Sequence, residues 1–124
     1  MVSTPPIFEL VIEMTENILN LIGRNHELFL NDIYTHSDDL SKAVSCSNFL
    51  VIGGAGSIGQ AVVRQIFKRN PKKLHVVDLS ENSLTELVRD IRSSFGYIKG
   101  DFKTFALDIG SMEYDAFIHS DGQY

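Results

Sequence analysis

The 124-residue chain is short of several things that would point to a function directly. It has no tryptophan and one cysteine, Cys46, so an internal disulfide framework and a multi-cysteine zinc cage are both excluded. Three prolines and nine glycines are too few for a collagen-like or low-complexity chain. No apolar run approaches the roughly 18 residues that span a bilayer, and the opening Met1-Val2-Ser3-Thr4-Pro5-Pro6 lacks the basic stretch of a secretory signal. A cytoplasmic protein without a membrane span is the expectation. Positive charge is also scarce, with 11 Lys and Arg against 16 Asp and Glu and a net charge of −5. Residues 1–48 hold seven acids against Arg24 and Lys42, whereas residues 49–124 are balanced. No basic footprint for nucleic acid results. The one basic cluster, Lys68-Arg69-Asn70-Pro71-Lys72-Lys73, reads as cations at a helix C-terminus followed by an Asn-Pro stop.

What the chain does have is a change of pattern near residue 48. Residues 1–48 form an acidic helical extension in this reading. Ile7, Phe8, Val11, Ile12, Met14, Ile18, Leu19 and Ile22 recur at helical spacing, with Pro5-Pro6 at the start and Gly23 at the end. A second helix is expected over 27–33. A third is expected over 38–43, with Ser37 as its cap and Asp38 and Asp39 in its first turn.

From residue 49 onward strands and helices alternate. Phe49-Leu50-Val51-Ile52 has the uninterrupted apolar character of a strand buried on both faces. A helix over 58–69 would bury Ile58, Val62, Val63, Ile66 and Phe67. Leu74-His75-Val76-Val77 is a second strand ending in Asp78. Ser83-Leu84-Thr85-Glu86 has the spacing of a capping box, and Leu84, Leu87, Val88 and Ile91 form the apolar face behind it. Thr104-Phe105-Ala106-Leu107 is a third strand ending in Asp108, and a short helix follows over 111–118. The order βαβαβ predicts an α/β fold with three parallel strands and right-handed crossovers.

Gly53, Gly56 and Gly59 fall in the turn between the first strand and its helix, and each has a separate use in a dinucleotide site. Gly53 permits the tight turn, Gly56 lets backbone approach a pyrophosphate, and Gly59 lets helix and strand pack closely. The phosphates would meet the free N–H groups at the helix start, including those of Ser57 and Ile58. Asp78 follows Gly59 by 19 residues, where a carboxylate is placed to bind ribose hydroxyls. There is no Gly-Lys-Ser/Thr, which disfavours a nucleoside triphosphatase. An S-adenosylmethionine site fits the same layout, and structural glycines without a ligand fit it as well.

Residues 49–59, Phe-Leu-Val-Ile-Gly-Gly-Ala-Gly-Ser-Ile-Gly, resemble the cofactor fingerprint of the extended short-chain dehydrogenases/reductases. Val76-Val77-Asp78-Leu79-Ser80-Glu81-Asn82 with Leu84 is similar to the second-strand motif of one branch. That branch comprises the CapD-like nucleotide-sugar 4,6-dehydratases and epimerases of polysaccharide biosynthesis. Leu107-Asp108-Ile109 resembles the third-strand pair that flanks adenine there. The resemblance covers residues 48–118 and implies the first half of a Rossmann domain over residues 49–124. It further implies NAD as cofactor, with NADP as the alternative, and a UDP-N-acetylglucosamine-like nucleotide-sugar as substrate of the whole enzyme. Gly53, Gly56, Ser57, Ile58, Gly59, Asp78, Asp108 and Ile109 are the implied cofactor contacts. Asp78 and Asp108 have local alternatives, as caps of the turn and helix that follow them. The absence of Lys or Arg at 79–80 favours NAD.

The family's Tyr-x-x-x-Lys pair is missing. Tyr34, Tyr97 and Tyr114 are followed four residues later by Asp38, Asp101 and Ile118, and Tyr124 by nothing. No catalytic residue is therefore assigned, and the chain reads as a cofactor-binding fragment whose catalytic part lies elsewhere. A stand-alone nucleotide-binding or regulatory module is the alternative, and a homo-oligomer through the helical extension is compatible with either. His26, His36, His75 and His119 share no metal-ligand spacing, so no metal site is expected; His75 is assigned to core or solvent.

Overall fold

The computed structural model describes Met14, residues 17–121, Gln123 and Tyr124. The first half of the expected N-terminal helix lies outside these residues. The chain divides into two compact units, residues 1–37 and 38–124.

In the first unit residues 17–21 are helical. They end at Gly23, which adopts φ 72° while Arg24 N–H donates to the Leu19 carbonyl at 2.8 Å. This is a glycine stop of the kind the sequence predicts. The next helix, α1 (Leu30–Thr35), begins three residues later than expected. Phe29 is the reason: its φ of 59° is left-handed and ends any helix passing through it. No described residue of this unit is buried, and Ile18, Leu21, Ile22, Phe29 and Ile33 are all at least half exposed.

Helix α2 (Ser37–Ser45) places Asp38 and Asp39 in its first turn as predicted, but Ser37 is its first helical residue, not an outside cap. Strands β1 (Asn48–Ile52), β2 (Lys73–Asp78) and β3 (Asp101–Ala106) then form one parallel sheet in the order β1-β2-β3. Asn48 is paired with Lys73, and Lys73 with Asp101. Helices α3 (Ser57–Phe67) and α4 (Glu81–Phe95) make the two crossovers, and α5 (Met112–Asp121) follows β3. The fold is the expected Rossmann-like βαβαβ arrangement preceded by helices. β3 starts three residues before the predicted strand, because Lys72 and Asp101 are already joined there by an N–H···O bond of 3.0 Å.

Burial is concentrated on the central strand. Leu74, His75, Val76 and Val77 are fully buried, whereas β1, expected to be covered on both faces, is half-buried and leaves Ile52 51% exposed. The difference follows from position, since β1 has a neighbour on one side only. The main core lies on the face of Leu74 and Val76, against Val63 and Phe67 of α3 and Leu84, Leu87 and Ile91 of α4. Phe67 also meets Phe102 edge-on at 5.0 Å. Of the predicted α4 face, Leu84, Leu87 and Ile91 are buried and Val88 is half-buried. In α3 the prediction is half right: Val63 and Phe67 are buried, but Ile58 and Val62 are 83% and 43% exposed. Those two share an i, i+4 ridge rotated about 100° from the buried Val63–Phe67 ridge.

The N-cap of α4 also differs from expectation. Ser80, not Ser83, takes the cap position, and its Oγ accepts the Ser83 N–H at 3.2 Å. Ser83 is the third residue of the helix, so the Ser83–Glu86 spacing matches a capping box without forming one.

Candidate dinucleotide site

The turn after β1 is held against β2. Gly53 and Gly54 direct their N–H groups to the Val77 carbonyl at 2.8 and 3.4 Å. Gly53 does so at φ 71°, the left-handed region in which a side chain is strained. Gly59 is required for space, because a Cβ there would lie 2.1 Å from the Gly53 carbonyl oxygen and 2.7 Å from Gly54 Cα. Gly54, to which sequence reasoning gave no role, is also short of space: its Cβ would fall 2.2 Å from the side-chain Cγ1 of the buried Val76.

Gly56 is different. It caps α3 with φ −74° and ψ 169°, open to any residue, and an added Cβ would meet only the Gly53 oxygen at 3.5 Å. Nothing inside the protein requires glycine at this position. Beyond it, Gln60 N–H bonds the Gly56 carbonyl at 2.8 Å, while no protein acceptor takes the N–H groups of Ser57, Ile58 and Gly59 among the described residues. Those three donors head an 11-residue helix with no acidic side chain in its first turn. Free donors and the positive end of the dipole together favour an anion. The Ile58 side chain is exposed and stands outside the core.

At the C-terminal ends of the strands an open cleft of about 220 Å³ collects Gly53, Asp78, Asp108 and Ile109, with Ile52 and Leu79 among its apolar walls. Four of the eight expected contacts thus share one cleft, and the other four form the adjoining turn and helix start. Asp78 Oδ2 accepts the Ala55 N–H and its Oδ1 the Ser80 N–H, both at 3.1 Å. Leu107 N–H bonds the Asp78 carbonyl at 3.0 Å and brings Asp108 alongside. Asp108 Oδ1 accepts the Gly110 N–H at 2.9 Å, forming an Asx turn. The cap of α5 is Ser111, whose Oγ accepts the Tyr114 N–H at 3.2 Å, so Asp108 is not the helix cap.

A second polar cluster occupies the opposite end of the sheet. His75, fully buried, has Nε2 2.7 Å from Asp101 Oδ2 and Nδ1 2.8 Å from the Tyr124 hydroxyl. Asp121 Oδ2 lies 3.3 Å from Nδ1, and Lys73 Nζ is 3.3 Å from Asp121 Oδ1. The hydrogen bond from His75 holds the Asp101 carboxyl below its ordinary value of 3.8. Burial, aided by Asp121 and Asp101, pushes the Tyr124 phenol above its ordinary value of 10.0. A phenol shifted upward is poorly suited to act as a base near neutral pH, and the cluster fastens α5 and Tyr124 to the sheet. Sequence reasoning placed His75 in core or solvent without seeing these partners. Among the described residues no group of three His, Cys, Asp or Glu is placed to hold a metal ion, and no helix is long and apolar enough to cross a membrane.

A parallel three-stranded sheet with helical crossovers and a glycine turn at its C-terminal edge defines a Rossmann-like α/β class of fold. Residues 49–117 match the family described as polysaccharide biosynthesis protein, and the chain belongs to that family. It is also similar to an uncharacterized membrane protein of Methanocaldococcus jannaschii, with 40% identity over 55 residues. That alignment covers 44% of this chain and 16% of the relative.

Proposed function

We propose that the chain is the cofactor-binding part of a nucleotide-sugar 4,6-dehydratase or epimerase of the CapD-like short-chain dehydrogenase/reductase branch, working in the cytoplasm. The carrying observation is Gly56, where neither a steric clash nor a left-handed φ demands glycine, set beside three uncommitted N–H groups and a cleft containing Asp78 and Asp108. A ligand phosphate pressed against the Gly56 backbone accounts for all of these. Ser57, Ile58 and Gly59 would donate to the pyrophosphate, Asp78 would accept from the adenosine ribose, and Asp108 with Ile109 would border the adenine. When bound, NAD supplies a hydride acceptor. The residues here bind and orient it, and the carboxylate of Asp78 disfavours the 2′-phosphate of NADP.

The acid and base groups for a sugar substrate are not in this chain, which has no Tyr-x-x-x-Lys pair. The expected result is binding without turnover. Calorimetry should detect NAD and ADP-ribose binding, weaker NADP binding, and no conversion of UDP-N-acetylglucosamine to a 4-keto product. Absence of binding by all three nucleotides refutes the reading, and turnover refutes the assignment of the catalytic part to another segment.

A further inference from the structure

Ala55, in the middle of the glycine turn, is 6% exposed, and its peptide groups are held from two directions. Its N–H donates to Asp78 Oδ2 at 3.1 Å, and its carbonyl accepts from Gln60 Nε2 at 2.7 Å. The other Asp78 oxygen takes the Ser80 N–H, so one carboxylate joins the turn after β1 to the turn after β2. Only a group with acceptors on both sides can do this. An Asn amide would point its NH₂ at one of the two N–H groups whichever way it was turned. Each carboxylate oxygen has a second lone pair, so the bracing leaves Asp78 able to accept from a hydroxyl as well.

We infer that Asp78, together with Gln60, is the positioning residue of the glycine turn. It fixes the Ala55 peptide and so aims the N–H groups of Ser57, Ile58 and Gly59 at a phosphate, apart from any bond it makes to ribose. The identity of the anion rests on the dinucleotide reading, whereas the brace exists without ligand. One consequence separates the two roles. A carboxylate that acts through ribose alone repels a bare phosphate ligand, so neutralising it leaves such a ligand bound equally well or better. A brace makes the same ligand bind worse when it is removed.

The test uses the ¹⁵N-labelled 124-residue chain. Without ligand, the Ala55 and Ser80 amide resonances should move together as the Asp78 carboxyl is titrated. Asp78→Ala, which removes both acceptors, should speed hydrogen exchange at Ala55 about tenfold, the loss of one hydrogen bond. Gln60→Ala should speed it comparably with Asp78 in place, and the wild-type titration needs no variant to fold. An Ala55 amide that ignores the titration overturns the brace. In calorimetry, Asp78→Ala should weaken inorganic pyrophosphate by about tenfold and ADP-ribose by at least as much. Weakened ADP-ribose with unchanged or tighter pyrophosphate overturns the inference and leaves the dinucleotide reading standing. Wild type that binds neither overturns that reading and the phosphate half of the inference, while the amide titration still decides the brace.

Discussion

Gly56 and Gly59 stand three residues apart in one turn, yet the structure requires opposite responses to the same change, Gly→Ala. At Gly59 the new methyl would lie 2.1 Å from the Gly53 oxygen and 2.9 Å from its carbon, both backbone atoms that no rotamer change can move aside. Overpacking of this kind costs about 1–3 kcal/mol, and a backbone opponent puts Gly59→Ala at the upper end. At roughly 4–8 °C per kcal/mol for a domain of this size, melting should fall by more than 10 °C. At Gly56 the methyl meets one oxygen at 3.5 Å in a conformation open to any residue. Alanine loses about 0.5 kcal/mol of N-cap preference and regains a similar amount by restricting the unfolded chain. Gly56→Ala should therefore melt within about 3 °C of wild type and still bind ADP-ribose at least about tenfold more weakly, because the methyl occupies the phosphate's place. Calorimetric melting and titration of both variants check this. A Gly59→Ala protein that melts like wild type refutes the close-approach argument. A Gly56→Ala protein that binds normally refutes the placement of the phosphate.

Three further outcomes concern the other end of the sheet and the core. Asp101 is held low mainly by its hydrogen bond with His75, so its contribution to stability is complete above its ordinary value of 3.8 and disappears as pH falls through the lower folded value. Thermal melts from pH 6 downward should show wild type and Asp101→Asn converging in acid. A constant gap between them contradicts the pairing. His75→Ala removes a fully buried ring and its contacts with Asp101 and Tyr124, at a cost of about 2–4 kcal/mol. Amide exchange should rise first in α5, and a uniform rise across the sheet would count against its role as a fastener. Arg92 lies over the Tyr97 ring at 4.0 Å and the Phe102 ring at 5.5 Å. Arg92→Met, which keeps the stem but not the cation, should lower stability in a urea melt by about 1 kcal/mol.

The alternation of strands and helices and the glycine turn were legible in the sequence because they depend on local grammar. Apolar runs, punctuating glycines and a terminal Asp each act within a few residues of themselves. The errors came where the outcome depends on a partner that the local pattern does not name. Ile58 and Val62 fit a helical stripe, but which ridge of α3 is covered depends on which one the sheet and α4 meet. Ser83 has the spacing of a cap, but Ser80 reaches the position first because Asp78 holds the Ser80 N–H and sets where the helix begins. The brace on Ala55 joins residues 23 and 5 positions away. Gln60 is an ordinary helix residue until the turn folds back over it. His75 gains its partners from positions 101, 121 and 124, which no periodicity connects.

The placement of the two polar clusters at opposite ends of β2 bears on how this domain tolerates change. One end carries uncommitted backbone donors and little side-chain chemistry; the other is closed by Lys73, His75, Asp101 and Asp121. A library of substitutions, selected once for survival of heat and once for retention on an immobilised nucleotide, should therefore separate along a single strand. Residues near Lys73 and His75 would govern the first selection, and residues near Val77 and Asp78 the second. Six residues of sequence would then span two selective regimes, and heat tolerance could be raised at one end of the strand while the other was left for ligand specificity to vary.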